Sequence, residues 1–315
     1  MWLVLLGACG PTSLVLDDPS DKGASDPGDT GADGGGDSAA QNDDSGEDSG
    51  DPAETGETAE PPADCLEYLF VAQSSIHFGG GSTVDAYDSA LGAYSSDSAS
   101  ANATAAVNST AACAFTLGGT VSGSAFTGAD PGSGYCEEWG ASLTGGASQL
   151  PSAVDMPEIE LPAGLPSSEG AITFGWGEVY EIPGDAHYDS VAVGYGGAMT
   201  VATSGIVWVE GDFAVDGGSL TVNAGDTVEL YVGGNLRVGY GSALNSGGEP
   251  AQLRIRMLYG GTVTFDYGAN VSAIVEAPFS DFANNGALFA GTFIGNSATS
   301  AWGAATHLDL SRQCP

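Results

Sequence analysis

Positive charge is what this 315-residue chain has least of: five Lys and Arg stand against 41 Asp and Glu, and the formal net charge is −36. Nucleic acids and anionic lipids are held by clustered Lys and Arg, so both are excluded as partners. The excess favours solubility, repulsion from like surfaces and attraction of divalent cations. Apolar runs are short as well, and none approaches the ~18 residues of a membrane span. No stretch keeps a 3.6-residue period between caps, which predicts little or no helix. His77, His187 and His307 are scattered without zinc-ligand spacing. Each reads as a structural or surface residue, and neither a metal nor any other cofactor is expected.

What is present divides the chain by composition. Trp2 to Leu6 are apolar and lead into Leu6-Gly7-Ala8-Cys9. That step resembles the lipobox of bacterial lipoproteins, where small residues precede a Cys that is acylated and becomes the mature N-terminus. The apolar run is short and no Lys or Arg precedes it, unlike a complete signal peptide, so the true start codon is expected upstream. The resemblance implies a signal segment over residues 1–9 and a lipid anchor on Cys9. Because Gly10 rather than Asp follows the Cys, it also implies the outer membrane or cell surface of a Gram-negative bacterium.

Residues 10–64 read as a disordered acidic tether. From Asp17 to Asp64 sixteen residues are Asp or Glu and Lys22 is the single base. Such a segment has too little apolar surface to offset its ordering entropy, and like charges extend it. Pieces such as Asp29-Thr-Gly-Ala-Asp33-Gly-Gly-Gly-Asp37 resemble the Asp-Thr-Gly-rich stalks of lipoproteins from myxobacteria and their relatives. Carboxylates at alternate positions can ligate Ca²⁺. Here the spacing is irregular and no ligand set closes.

Residues 65–315 form the folded part, and within them 207–272 repeat one short phrase three times. Val-Glu-Gly-Asp-Phe-Ala-Val-Asp-Gly-Gly at 209–218 aligns with 232–241 and again with 259–268, at offsets of 23 and 27 residues. Such a period marks units that cannot bury their own apolar face and stack on one another. The predicted fold is all-β, a right-handed parallel β-helix (β-solenoid). Alternation points Phe213, Val215, Leu236, Val238, Val263 and Phe265 inward in columns, with Ala214, Arg237 and Thr264 outward. Gly211, Gly234 and Gly261 share one register, and Gly218, Gly241 and Gly268 another, as corners needing φ > 0 would. A glycine-rich phosphate cradle would need a helix start and a Lys that are absent here.

In the same register Val207, Leu230 and Met257 point inward. Trp208, Tyr231 and Leu258 then form an outward column, a ladder that either stacks on sugar rings or lies covered by residues 66–94 or 150–166. Glu229 falls against Arg256 as a surface ion pair worth at most about 1 kcal/mol. Asp216 and Asp266 lie two rungs apart, roughly 9–10 Å, too far to share one Ca²⁺.

Outside the repeats, 66–72, 114–117 and 120–125 read as short strands, and strand-like runs bounded by Gly recur from 171 onward. Residues 150–166 carry four prolines and read as an extended connector crossing the surface. Setting Cys9 aside, Cys65, Cys113, Cys136 and Cys314 are an even set, suited to an oxidising compartment. Three pairings are open. Cys113 with Cys136 is the local choice; Cys65 with Cys314 would then require the two ends of the folded part to meet, with the N-terminal segment folded back along the stack.

Thr83-Val84-Asp85-Ala86-Tyr87-Asp88-Ser89-Ala90-Leu91-Gly92-Ala93-Tyr94 resembles the opening signature of a domain family of unknown function found in bacterial surface and pilus-associated proteins. Ile182-Pro-Gly-Asp-Ala-His-Tyr-Asp-Ser190 resembles that family's turn into its main repeats. Ala277-Pro278 followed by Phe289-Ala-Gly-Thr-Phe-Ile-Gly295 is similar to its penultimate rung, and Thr306-His307-Leu308-Asp309-Leu310 to its closing His-Tyr-Asp motif, with Leu308 replacing the Tyr. The resemblance covers about 75–310 and implies a fold without catalytic residues. The resulting expectation is a surface-anchored lipoprotein, not an enzyme, whose β-helix is a structural or adhesion-type module meeting a glycan or another envelope protein. The competing expectation is a glycan-binding or polysaccharide-degrading β-helix. A lyase on acidic polysaccharide would want cations, and the folded part offers only Arg237, Arg254, Arg256 and Arg312.

Overall fold

The computed structural model describes residues 66–314. Cys9, the acidic stretch 10–64 and Cys65 lie outside the described residues. Among these residues regular structure is almost entirely strand, 25 in all, with one short α-helix at Pro131–Gly134 and three single 3-10 turns. The strands pair in parallel, each with its counterpart in the next turn of chain, and three corners per turn separate three faces. The chain is a parallel β-helix.

The first face is ten strands deep. In spatial order it runs Ala171–Phe174, Ser190–Val193, Phe213–Val215, Leu236–Val238, Thr262–Phe265, then 281–284, 297–300 and 75–78 within longer strands, then Phe115–Leu117 and Tyr135–Glu137. Spatial order therefore differs from chain order. Rungs one to six come from the C-terminal half, and rungs eight to ten from the N-terminal half. Rung seven is split: 297–300 and Ala305–Asp309 supply two faces, and 70–72, at the other end of the described chain, supply the third. There the ends overlap, with the Leu66 N–H donating to Arg312 O at 2.6 Å and the Cys314 N–H to Leu66 O at 2.9 Å.

Such an arrangement needs a return path from rung ten to rung one, and the proline-bearing connector supplies it along the third face. Leu150 is buried with Tyr68, Val71, Ala106 and Ile294, and Val154 and Met156 pack on them. The Asn108 side chain holds both backbone groups of Val154 at 2.8 Å. Farther along, Pro166 O lies 3.0 Å from His187 Nδ1, and the Glu169 N–H donates to His187 O at 2.9 Å. Prolines suit this course because an extended surface strand needs few backbone donors.

Inside, the alternation read from the repeats holds. Phe213, Leu236 and Val263 stack in one column, Val215, Val238 and Phe265 in the next, and all six are fully buried. Toward the split rung the core turns aromatic. Phe265, Phe282, Phe293, Phe70, Phe78 and Phe115 form a run with successive centroids 4.8–5.7 Å apart. Phe293 and Phe70, from opposite ends of the chain, close the split at 5.0 Å. Edge-to-face and tilted pairs of this kind add about 0.5–1.5 kcal/mol each beyond area burial.

Three local expectations need correction. The first strand is Phe70–Phe78 rather than 66–72. Gly211, Gly234 and Gly261 do not take positive φ. Instead they admit no Cβ, because the previous rung's backbone approaches too closely; at Gly211 that atom would fall 2.8 Å from Asp189 O. In the second glycine register Gly241 and Gly268 do have φ of 66° and 72°, but in the remaining copy Gly217, at 72°, takes the role assigned to Gly218.

Candidate functional site

Three side-chain systems stand on this frame. The first is the outward column of the third face. Strand pairing sets Trp208 beside Tyr231, as the repeats imply, but sets Tyr231 beside Arg256 rather than Leu258. The corner after Met257 is two residues longer than the one after Val232. Met257 consequently pairs with Val232, Leu258 leads into the corner, and Tyr259 projects into solvent. The column reads His187, Trp208, Tyr231, Arg256 and Glu276 over rungs one to five.

Its members hold one another. The imidazole of His187 stacks on the Trp208 indole at 3.8 Å and 14°, and Glu210 lies 3.0 Å from His187 Nε2. Tyr231 is 1 % exposed; its hydroxyl donates to Glu229 at 2.8 Å and accepts from Arg256 Nη1 at 2.7 Å. Burial, then the hydrogen bond to Glu229, raises the Tyr231 pKa above its usual value. Arg256 also reaches Glu276 at 2.9 Å and Glu229 at 3.2 Å. Burial opposes the guanidinium charge, and Glu276, the Tyr231 hydroxyl and Glu229 more than offset it. The register partner of Glu229 is Arg254, so the Glu229–Arg256 ion pair is diagonal. Arg254, Arg256 and Arg312 line a cavity of about 310 Å³ that Asp155, Met156 and Glu158 of the connector bound from above. The chain's scarce cations are thus concentrated where the connector crosses.

The second system lies at the split rung, where the opening and closing signature residues meet. His307 Nδ1 is 2.6 Å from Asp85 Oδ1, and the Tyr94 hydroxyl donates to Asp85 Oδ2 at 3.0 Å. The Tyr94 ring stacks on the imidazole at 3.4 Å. Burial, then the Asp85 carboxylate, pushes Tyr94 up to about 12. Asp309, fully buried, accepts from the Ser89 N–H at 3.0 Å, the Ser89 hydroxyl at 2.8 Å and the Ser311 N–H at 3.1 Å. Both clusters tie the two chain ends together. His77 lies 3.3 Å from Glu138 in an exposed pair.

The third system is the corner joining the first and second faces. Trp176, Tyr195, Tyr240, Tyr267, Trp302 and Trp139 occupy rungs one, two, four, five, seven and ten of this corner, each followed by a glycine with φ between 66° and 87°. They are 63–100 % exposed. Trp176 stacks on Tyr195 at 5.4 Å and 13°, and Tyr240 on Tyr267 at 6.1 Å and 18°. Rungs three and six carry Gly217 and Gly286, where a Cβ would strike the Tyr195 and Tyr267 rings at 2.7 and 2.9 Å. A Cβ on Gly81 would likewise meet the Trp302 indole. Glycine here both turns the chain and seats the neighbouring ring. Beside the corner, Arg237 bridges Asp216 at 3.1 Å and Asp266 at 2.9 Å, filling the gap between two carboxylates that are too far apart to share a metal. Of these glycines the repeat alignment contains only Gly241 and Gly268; the signal for the whole corner is the recurring Trp-Gly or Tyr-Gly dipeptide.

The sulfurs of Cys113 and Cys136 are bonded, stapling rung ten to the start of rung nine. Cys314 is also disulfide-bonded; Cys65, the partner set against it in the sequence, lies outside the described residues. Among the described residues no group of three or more His, Cys, Asp or Glu could hold a metal ion, and no helix is long and apolar enough to cross a membrane.

Residues 177–312 match the family described as Domain of unknown function (DUF7305). The matched region is most of the C-terminal seven rungs, narrower than the 75–310 of the sequence resemblance. No curated protein matches the chain.

Proposed function

We propose that this chain is a lipid-anchored protein of the outer membrane or cell surface of a Gram-negative bacterium. In this reading Cys9 carries the anchor, residues 10–64 are the tether, and the β-helix is a structural and interaction module rather than an enzyme. The observation that carries it is the state of the cysteines: Cys113, Cys136 and Cys314 are all in disulfides. Disulfides persist in oxidising compartments outside the cytoplasm, where a lipobox and an acidic stalk would deliver the chain.

The polar clusters support the structural part of this reading. The Asp85–His307 pair is engaged with Tyr94 at the seam, and His187 is clasped between Glu210 and Pro166 O. Each such group locks one part of the fold to another. Intact-mass analysis of the membrane fraction tests the anchor: a lipidated Cys9 is expected, with Cys9→Ala released to the soluble fraction. A native chain recovered soluble with a free Met1 overturns it.

A further inference from the structure

We propose that the aromatic corner is a binding platform for a linear, uncharged polysaccharide, with its Trp and Tyr rings stacking against sugar rings. The proposal rests on the interaction-module reading and gives that module a ligand class. Soluble proteins seldom expose a continuous run of large aromatics without a partner. Here six of the ten exposed large apolar residues among the described residues fall on one corner out of three. Nothing in the fold requires them there, since Gly217, Gly286 and Gly80 serve the same corner without a ring.

Three features select the ligand. The first is shape: rungs one to ten are nine strand spacings, an interrupted ridge of about 43 Å at the spacing of parallel strands. A linear polymer uses such a length, whereas one small molecule needs a single rung. The second is order: stacking on a neighbour or seating on glycine fixes Trp176, Tyr195, Tyr240, Tyr267 and Trp302, so little rotamer freedom remains to be lost on binding. Ringless rungs three and six leave notches roughly two strand spacings wide between successive aromatics, about 9–10 Å, and ringless rungs eight and nine a wider one of about 14 Å before Trp139. Flat pyranose faces, lined with C–H, match such surfaces.

The third feature is charge. Among the described residues the only Lys or Arg beside the corner, Arg237, is already shared by Asp216 and Asp266. An acidic polymer would find no counter-charge, and a chain of net charge −36 would repel it. Sugar hydroxyls, in contrast, can donate to Asp216, Asp266 and Glu178 along the ridge.

The test uses the full chain carrying Cys9→Ala, so that binding is read apart from anchoring. Retention is measured on insoluble cellulose and chitin, and by affinity electrophoresis in xyloglucan, mixed-linkage β-glucan and galactomannan. Binding to at least one is expected, little changed by 0.5 M NaCl. Trp176→Ala with Trp302→Ala should weaken it at least tenfold, and Tyr240→Ala with Tyr267→Ala similarly, while Trp208→Ala stays within twofold. Unchanged thermal melts establish that the variants fold. Absence of binding to all five polymers overturns the proposal. So does binding that the ridge variants leave intact. Self-association of the parent that the ridge variants abolish overturns it in favour of a second copy as the occupant. None of these outcomes bears on whether Cys9 is acylated, so the two readings fail separately.

Discussion

Two ladders of aromatic and polar residues climb this β-helix, one on the third face and one on the corner between the first two. Both place rings in register from rung to rung, and both include stacked pairs, yet one is enclosed and the other open. On the third face the connector and a network of arginines and carboxylates close over Tyr231. At the corner the rings are supported from one side and meet solvent on the other. Register, then, determines which side chains align, and the passage of a distant segment determines whether they are available. Repetition alone does not distinguish a buried ladder from a binding one.

The largest way to break the contrast is to empty the enclosed ladder. Arg256→Ala leaves Glu276 and Glu229 without their main counter-charge and Tyr231 without its donor, and should lower unfolding stability by about 2–3 kcal/mol in urea titrations. A smaller loss is expected from Gly217→Ala. Its φ of 72° disfavours a side chain, and the new methyl displaces the Tyr195 ring. The expected cost is about 1–2 kcal/mol, with a changed near-ultraviolet circular dichroism signal as the readout.

Tyrosines held at the split rung and on the enclosed ladder also set an alkaline limit. Tyr94, held at about 12, keeps its proton in the folded chain while an unfolded chain loses it near pH 10. Tyr231 is raised in the same direction. Their contribution is complete below pH 10 and declines as pH climbs toward 12, because over that interval the folded state binds more protons than the unfolded one. Unfolding followed at pH 9, 10.5 and 12 checks the slope; stability that rises over that range contradicts it. The smallest effect belongs to the open ladder, where Trp302→Ala should change stability by less than about 0.5 kcal/mol. A large loss there would make the corner a structural element and remove the contrast.

The first-face columns of Phe213, Leu236 and Val263 were legible in the sequence because alternation and repeat offset agree there. The third face was not, because two additional residues at 258–261 shift its register without disturbing the first. A corner can absorb an insertion as a bulge, so offsets hold face by face rather than rung by rung. Of the sequence-selected column, Trp208 and Tyr231 do share a register and Leu258 does not. The meeting of the opening and closing signatures at Asp85, Tyr94, His307 and Asp309 was foreshadowed only by the cysteine argument that the two ends must approach. The split of rung seven itself leaves no local pattern. It depends on a pairing between residues more than 200 positions apart, such as Ser89 with Asp309.

That split changes how the molecule can come apart. In a β-helix threaded straight through, the chain ends are the stack ends, and a terminal rung can peel away as a free tail. Here the outermost strands of the first face, Tyr135–Glu137 and Ala171–Phe174, are interior to the sequence and joined to each other through the connector. Fraying at either end opens only a closed loop, whose released entropy is less than that of a loose end. The two ends of the described residues meet instead at the split rung, where Leu66 hydrogen-bonds to Arg312 and Cys314, with rungs on both sides. Unravelling that starts from Leu66 or Cys314 therefore meets a rung held on both sides rather than a free edge.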